Sequence, residues 1–424
     1  AMDKIYIEAF SDLRGVIVDL PEPLSKPVMD SVHEFRYRQA FKESGYRIDL
    51  SMDDNLHASL KIEDGIATGG RVHFGVSGYG AVTYDAIRMS GELPFLDYGA
   101  WETVTEEFGL ISDVSFEDEI AAHVASAELS IEELLFYYQP LDDVEMLVTR
   151  GDNLWVASLQ NEMLDGEVRI LDDDDAPLNV NLNWLSFESE DGALDPFYDV
   201  NPVEVADVDF STKQLLLDGE DFGHWSFNYR TSEHGGRFED LEVSALGLQV
   251  AAGSLGEWHY RNGQHASRFA GDIVIDDLAK AQQNFGFASS IEGEGLKLAV
   301  DVSWDGSPAM VDIERVSGEV EISEGSGRFV QAETGGALKL LGIFDFASLA
   351  RRFRLDFSDL IDDGFEFTDI QGVISFDEGE VVVQEPIVIN GSSGKFTVGG
   401  GMNIVSNTLD NHMIVTLPVG RTLP

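Results

Sequence analysis

Few residues in this sequence combine a type and a spacing that would support chemistry. The best match to a metal-binding pattern runs from Asp301 to Asp312, where Asp301, Ser303, Asp305, Gly306 and Asp312 occupy positions 1, 3, 5, 6 and 12 of a calcium-loop template. The last position is Asp rather than the usual Glu, and the flanking residues have strand patterns. We therefore interpret Asp305–Pro308 as a hairpin turn and predict no metal site.

A second candidate for metal binding is a pair of histidines. His259 and His265 flank the turn signal Arg261-Asn262-Gly263 and would face each other if the two strands paired around it. Isolated strand histidines are more often solvent-facing than metal ligands, and we favour that interpretation. The chain has no cysteine, which excludes disulfides and thiolate ligands. We predict no cofactor.

Recognised catalytic signatures are missing from the sequence. It contains no G-x-S-x-G, no H-E-x-x-H and no P-loop. A pair of carboxylates for glycoside hydrolysis cannot be singled out among 78 acidic residues. We predict no catalytic residues and no enzymatic activity.

The excess of acidic residues limits the classes of partner that the chain can bind. The 424 residues include 78 acidic and 27 basic ones, for a formal net charge of −51. Nucleic-acid binding requires a positive surface, and attraction to anionic membranes uses polybasic segments, so both are disfavoured. We attribute the acidity chiefly to solubility.

The elements that would position any site are strands. Apolar and polar residues alternate along Leu178–Trp184, Trp225–Tyr229 and Leu296–Trp304, with turn signals such as Glu63-Asp64-Gly65 and Asp377-Glu378-Gly379 between such segments. A period of two with one wetted face is typical of antiparallel sheets. We predict a mainly β fold: a long, curled antiparallel sheet, forming an open groove or half-pipe, with a few short amphipathic helices.

Three short helices are expected, near 93–108, 276–285 and 337–353. The expected N-caps are Asp97, which leads into Tyr98–Phe108, Asp276, which leads into Asp277–Phe285, and Asp345, which leads into Phe346–Phe353. There is no Pro-, Ser- or Gly-rich linker, so we predict one continuous elongated β array over 1–424. Only Asp172–Asp175 and Asp191–Pro202 offer weak boundaries.

An ordered series of segments near the carboxy terminus is distinctive. It comprises Gly335–Gly342, Leu349–Leu360, Gly364–Gly372, Ile389–Gly394 and Gly399–Met413, and upstream stretches at Leu13–Pro27 and Leu296–Pro308 agree with it. The series resembles the carboxy-terminal region of the YhdP family, within the AsmA-like superfamily of Gram-negative envelope proteins. The specific part of the resemblance covers 335–412.

The resemblance implies a periplasmic protein that an amino-terminal helix anchors in the inner membrane. It implies movement of phospholipid toward the outer membrane along a β-sheet groove, and it offers no catalytic residues. This chain lacks the anchor and stops where the family continues into a helical segment, so we interpret it as a carboxy-terminal piece of a longer protein. The expected partners are phospholipids, and the inner and outer membranes through the missing parts.

The groove would be lined by the apolar positions of the last strands. Their polar neighbours Ser375, Asp377, Lys395, Thr397 and Asn403 should point outward. The lipid-facing candidates are Ile374, Phe376, Phe396, Val398, Met402, Ile404, Met413, Val415 and Leu417.

An amphipathic segment, Ala337–Phe353, precedes these strands. It places Leu338, Leu341, Phe344 and Leu349 on one helical stripe, as a plug or lid for the groove. The alternative is that both the helix and the strand positions only complete a packed core.

Three functions follow from these patterns. The leading one is a fragment of a lipid-transfer bridge that shelters phospholipid acyl chains. A second is a secreted or envelope structural or adhesive β-rich module without lipid binding, which would use acidic faces and calcium. The third, a carbohydrate-active β-solenoid, lacks the strict short repeats that a solenoid requires.

Overall fold

The computed structural model describes residues 5–76, 82–104, 121–188, 195–284, 289–330 and 365–417, except 43, 54, 102, 137, 138, 174, 196, 199, 290 and 407. The fold is mainly β with few helical residues, so the predicted class is confirmed. The chain divides into two compact units, Ala1–Leu185 and Ser186–Pro424. The single continuous array stays a prediction.

Among its described residues, the amino-terminal unit contains twelve strands, a short 3₁₀ helix, Ala121–His123, and helical residues that begin at Tyr98. The strands are β1 (Tyr6–Ser11), β2 (Phe35–Phe41), β3 (Tyr46–Met52), β4 (Leu56–Glu63), β5 (Ile66–Phe74), β6 (Ile87–Leu93), β7 (Leu96–Asp97), β8 (Val124–Phe136), β9 (Gln139–Gly151), β10 (Leu154–Gln160), β11 (Leu164–Leu171) and β12 (Leu178–Phe187).

Most strands of this unit pair with the next strand in the chain, but β6 and β7 each pair with β8, and some pairings depart from the antiparallel prediction. Strands β5 and β6, β6 and β8, and β7 and β8 pair in parallel, so the sheet is mixed. The other pairs are antiparallel, from β1–β2 to β11–β12. Alternation along a strand does not reveal the direction of its neighbour.

The carboxy-terminal unit is built from the remaining strands. They are β13 (Val208–Thr212), β14 (Leu215–Leu217), β15 (Glu220–Asp221), β16 (His224–Ser232), β17 (Gly235–Ala245), β18 (Leu248–Arg261), β19 (Gln264–Ile275), β20 (Ile291–Asp305), β21 (Ser317–Phe329), β22 (Glu366–Asp377), β23 (Glu380–Gly391), β24 (Gly394–Asn403) and β25 (Thr408–Thr416).

Every strand pairing within this unit is antiparallel among the described residues. Strand β13 pairs with β16, β14 pairs with β15, and β16 to β25 pair in chain order. The predicted turns at 261–263 and 377–379 are confirmed as tight connections with left-handed backbone: Asn262, Gly263, Glu378 and Gly379 all have φ between 44° and 86°.

The helix predictions are confirmed in part. Helical residues begin at Tyr98, and Asp97 Oδ1 accepts a bond of 3.0 Å from the Ala100 amide, so Asp97 is the N-cap; Leu93 and Leu96 lie in strands instead. Helix α1 spans Leu278–Asn284, so it begins two residues later than predicted, and the predicted end at residue 285 lies outside the described residues.

The cap of α1 differs from the prediction by one residue. Asp277 Oδ1 accepts from the Lys280 amide at 2.9 Å, whereas Asp276 accepts a bond from the Gln249 side chain. Asp277 is therefore the N-cap rather than Asp276. The predicted helix at 337–353, with Asp345, lies outside the described residues.

Each unit has its own apolar core on one face of its strands. In the amino-terminal unit, Ile131 and Val144 lie opposite each other on β8 and β9 and are 1% exposed, with Leu93 of β6 paired to Ile131. The larger cluster belongs to the carboxy-terminal unit and contains most of the predicted site.

Candidate functional site

The largest apolar surface shared by neighbouring strands is here called the carboxy-terminal apolar face. Its buried members come from β20 to β24, with one from helix α1 and one from the residue before β22. They are Leu278, Ile291, Ile322, Phe329, Phe365, Phe367, Ile370, Ile374, Val381, Ile387, Ile389, Phe396, Val398 and Met402. Partly buried side chains pack against them: Ile275, Leu296, Leu298, Val320, Phe376, Val383, Ile404, Met413 and Val415.

Antiparallel register brings these side chains into rows across the strands. Ile370, Ile389, Phe396 and Val415 lie opposite one another on β22 to β25. Directly opposed residues share a face, so alternation on each strand reinforces that on the next. Because each row crosses several strands, the apolar surface is continuous rather than a set of separate patches.

The same face extends toward β13 through aromatic side chains. The rings of Phe210 and Phe227 stack at 4.8 Å, and Phe227 meets Phe238 edge-on at 5.2 Å. Phe238 lies opposite Gly256, and Gly256 lies opposite Phe269 of β19. The apolar face therefore passes through every strand from β16 to β25 and reaches β13.

Most of the predicted groove residues come together on this face. Ile374, Phe396, Val398 and Met402 are buried in it, and Phe376, Ile404, Met413 and Val415 pack against it. Leu417 lies beyond the end of β25 and is 46% exposed. The helix candidates Leu338, Leu341, Phe344 and Leu349 lie outside the described residues.

Two of the most buried members were missing from the sequence prediction. Ile387 and Ile389 of β23 are fully buried, opposite Val398 and Phe396. The register of β23 shifts between Val382 and Ile387, so its alternation is interrupted around Pro386. The apolar alternation that resumes after the proline was the signal available in the sequence.

A glycine allows the closest approach on this face. A Cβ atom at Gly372 of β22 would lie 2.9 Å from both Cα and Cγ1 of Ile387. Only glycine leaves room for Ile387 there, because real Cβ contacts are longer.

Burial on this face decreases toward the last strand. Val398 of β24 is 1% exposed, whereas Met413 of β25 is only partly buried. Ile414, on the opposite side of the same strand, is 58% exposed. The face thus combines a fully packed centre with partly accessible apolar side chains on β25 and on β19 to β21.

The end of the face near Trp258 is covered by loop residues. The Phe197 ring packs against Trp258 at 5.5 Å, and the Tyr198 carbonyl accepts a bond of 2.9 Å from His265 Nε2. Trp258 Nε1 donates to His265 Nδ1 at 3.1 Å. His265 is therefore buried and saturated by these two partners.

This arrangement corrects the histidine prediction. His259 lies opposite Ala266, and His265 lies opposite Tyr260, so the two histidines occupy opposite faces and do not form a pair. His265 is buried rather than solvent-facing, because the loop at Phe197 and Tyr198 covers its end of the strand.

The calcium-loop residues lie in a strand and a long connection. Asp301, Ser303 and Asp305 belong to β20, and β21 begins only at Ser317, so residues 306–316 form a longer connection than the predicted hairpin turn. In the part of the chain that is described, no cluster of three or more His, Asp or Glu side chains could hold a metal ion.

The opposite face of the carboxy-terminal strands carries ion pairs. Arg268 contacts Asp301 at 2.8 Å and Glu257 at 3.0 Å across β18, β19 and β20. The hydrogen bond from Arg268 lowers the pKa of the Asp301 carboxyl, and the same bond raises the pKa of the guanidinium. This side is charged and wetted, while the other is apolar.

Comparison with known proteins decides the family. The family model described as YhdP protein matches residues 3–424. The chain belongs to the YhdP family. A YhdP relative, the intermembrane phospholipid transporter YhdP of Escherichia coli (strain K12), is 24% identical over 168 residues. That alignment covers 40% of this chain and 13% of the relative's length.

Two further findings concern this YhdP-family chain. No solved structure is significantly similar to it. Across the ranges the structure describes, helices are too short or too polar to cross a bilayer.

Proposed function

We propose that this chain shelters phospholipid acyl chains on the carboxy-terminal apolar face and forms part of a lipid-transfer bridge. The observation that carries the proposal is the continuity of that face over the antiparallel strands β13 and β16 to β25. Membership of the YhdP family, which includes an intermembrane phospholipid transporter, supports it.

The dimensions suit an acyl chain. Eleven strands are separated by ten steps of about 4.8 Å, so the face extends for roughly 48 Å across the strands. One leaflet of a bilayer's hydrocarbon core is about 15 Å thick. Exposing an acyl chain to water costs about 0.8 kcal/mol for each CH₂. A continuous apolar surface removes this cost without covalent chemistry, so the proposed function needs no catalytic residue.

Contact with lipid would involve the partly buried members of the face. Leu298 of β20, Val320 of β21 and Met413 of β25 retain accessible surface, whereas Ile387 and Ile389 are fully buried. The fully buried residues stabilise the sheet, and the partly buried ones present the surface that an acyl chain can contact. In this proposal, the groove and the packed core are two parts of one face: its partly buried residues contact lipid, and its fully buried residues form the core.

The place of action is the space between two membranes. We infer a periplasmic location, with the inner-membrane anchor and the contacts to both membranes in other parts of the full-length protein. The relative's description as an intermembrane transporter supports this location.

Site-specific crosslinking tests the proposal. A photoreactive residue at Met413 should crosslink to phospholipid in cells, and one at the adjacent Ile414 should not. The two positions share a strand and differ in the face that they occupy. Mass spectrometry of lipid extracted from the purified chain should detect phospholipid, at a level that Met413→Asp reduces several-fold and Ile414→Asp leaves unchanged.

The opposite results would reject the proposal. If no lipid copurifies and neither position crosslinks, the apolar face is only a core, and the alternative structural or adhesive module becomes the better account. Equal crosslinking at Met413 and Ile414 would also contradict a face-specific role.

A further inference from the structure

The strands β2 to β6 carry a positive charge in a strongly acidic chain. They contain six of the 27 basic residues and only three of the 78 acidic ones, Asp49, Glu63 and Glu92. The basic residues are Arg36, Arg38, Arg47, Lys61, Arg71 and Arg88. The excess of cations is confined to the strand positions, whereas the whole segment 35–93, with its connections, holds eight acidic and seven basic residues.

Register places most of these cations on one face, here called the basic face. One row across the strands consists of Arg38, Asp49, Ser59, Arg71 and Arg88. The adjacent row consists of Arg36, Ser51, His57, His73 and Ser90. Neighbours within a row are about 5 Å apart and the rows are about 7 Å apart, so the donors surround a space the size of a small anion.

The carboxylates near this face already have partners. Asp49 accepts from Arg47 at 2.8 Å and from Ser59 Oγ at 2.6 Å. Glu8 lies 3.5 Å from Arg38, and Asp85 binds both guanidinium nitrogens of Arg88 at 3.0 Å. These anions therefore do not neutralise the centre of the basic face.

Arg71 is a cation of this face without an ion-pair partner among the described residues. It is partly buried between Ser59 and Arg88, and no carboxylate of the described residues lies within ion-pair distance of it. A partly buried guanidinium without a counter-charge is a binding group for an anion, because its fork of N–H donors matches two oxygens at once.

A cavity of about 430 Å³ opens at this position. Its lining includes the donors Arg36, Arg38, Arg71 and Ser51, together with the carboxylates of Glu8 and Asp49, which are paired with Arg38 and with Arg47 and Ser59. Phe10, 71% exposed, and Val82 add apolar contacts to the lining. The volume lies in the range of small-ligand sites.

We propose that the basic face binds a phosphate group, with the Arg71 guanidinium as its main contact and Ser51 as a flanking donor. Phosphate fits better than a carboxylate because three or four oxygens can use donors from two rows and several strands together. The phosphate belongs either to a phospholipid headgroup or to a free phosphate. The headgroup version rests on the proposed function and agrees with the apolar contacts from Phe10 and Val82. The free-phosphate version does not depend on the proposed function.

Binding of two soluble probes to the whole chain tests this inference. Titration calorimetry with inorganic phosphate measures the anion alone, and dihexanoylphosphatidylglycerol below its micelle concentration adds the lipid headgroup. Arg71→Gln should weaken both interactions by tenfold or more, and Arg71→Lys should weaken them less because it keeps the charge.

Arg169→Gln is the matched control. Arg169 lies on β11 of the same unit, is exposed and pairs with Glu167 at 3.1 Å. Its loss removes the same charge from another surface, so binding of both probes should stay within twofold of the parent. Melting temperatures of all three variants should stay close to that of the parent, because the site lies on a wetted face.

The outcomes separate the two sources of phosphate. Tighter binding of the short-chain lipid than of inorganic phosphate, lost in Arg71→Gln, supports a headgroup site; equal binding, also lost, supports a free-phosphate site. No binding of either probe, or equal loss in Arg71→Gln and Arg169→Gln, overturns the inference. Crosslinking at Met413 is measured independently of these titrations. A failure of the lipid-bridge proposal would therefore not contradict phosphate binding at Arg71, and a failure of phosphate binding would not contradict the lipid-bridge proposal.

Discussion

Strands of both units alternate apolar and polar residues, but the polar faces of the two units differ in charge. In the carboxy-terminal unit, strands β20 to β22 contain ten acidic and two basic residues, whereas β2 to β6 of the amino-terminal unit contain three acidic and six basic ones. Both units bury the apolar residues of alternate positions. The apolar face is constrained by packing, and the wetted face is free to differ in charge and thus in the ligands that it attracts.

The units also differ in strand direction. The amino-terminal unit has three parallel pairings, and the carboxy-terminal unit pairs only antiparallel strands among its described residues. Long antiparallel strands, 12 to 15 residues in β19, β20, β22 and β23, carry the apolar face of the second unit. Four predictions test whether this face behaves as a packed surface distinct from that of the first unit.

The largest effect is expected from a charge in the packed centre. Val398→Asp places a carboxylate at a position that is 1% exposed, and it should cost about 3 kcal/mol or more of folding stability. Hydrogen exchange should accelerate in β22 to β25 and stay unchanged in β8 and β9. Thr397→Asp, on the wetted side of β24, is the control, and equal acceleration in both variants would contradict the assignment of faces.

A smaller loss is expected from filling the space at Gly372. Gly372→Ala brings Cβ within 2.9 Å of Ile387, so the strands must shift, at a cost of about 1–3 kcal/mol. Denaturant titration measures the change. Gly151→Ala in the amino-terminal unit is the control because its nearest neighbour atom lies at 3.4 Å, an ordinary contact. Unchanged stability of Gly372→Ala would show that the packing at Ile387 is loose.

Loss of one buried hydroxyl should have a modest effect that depends on pH. Tyr229 donates to the Pro202 carbonyl at 2.6 Å, and burial together with Asp207 raises its pKa to about 12. Tyr229→Phe should cost about 1 kcal/mol at neutral pH.

The raised pKa of Tyr229 fixes the sign of the alkaline effect. The protonated phenol stabilises the folded chain fully below about pH 10, its ordinary pKa, and this contribution is lost as the pH rises to about 12. Thermal melts at pH 8 and pH 11 should show a smaller alkaline loss in Tyr229→Phe than in the parent. An identical alkaline loss would exclude Tyr229 as its source.

The smallest effect concerns the wetted face. Arg268→Gln removes bonds to Asp301 and Glu257, yet exposed ion pairs contribute little, so the loss should stay below about 1 kcal/mol. Because Arg268 lowers the pKa of Asp301, its contribution is present above the ordinary carboxyl pKa and disappears as the pH falls through the lowered value. The difference in melting temperature between parent and variant should therefore narrow as the pH is lowered from about 7 to below the ordinary carboxyl pKa. A loss as large as that of Val398→Asp would overturn the division into faces.

The sequence by itself determined which residues can share a face. Alternation from Leu296 to Trp304, and at positions such as Phe396 and Val398, predicted strands with one apolar side, and Asn262-Gly263 and Glu378-Gly379 predicted the turns between them. These features are local, because strand periodicity and left-handed turn residues depend on only a few neighbours in the chain.

The tertiary structure decided the features that depend on partners distant in the chain. It set the parallel direction of β6, the register shift that brings Ile387 and Ile389 into the centre, and the loop contact that buries His265. It also aligned Arg71 with Ser59 and Arg88, which no spacing in the sequence reveals. Register and direction arise from the pairing of whole strands, so the same alternation is compatible with several arrangements until the strands meet.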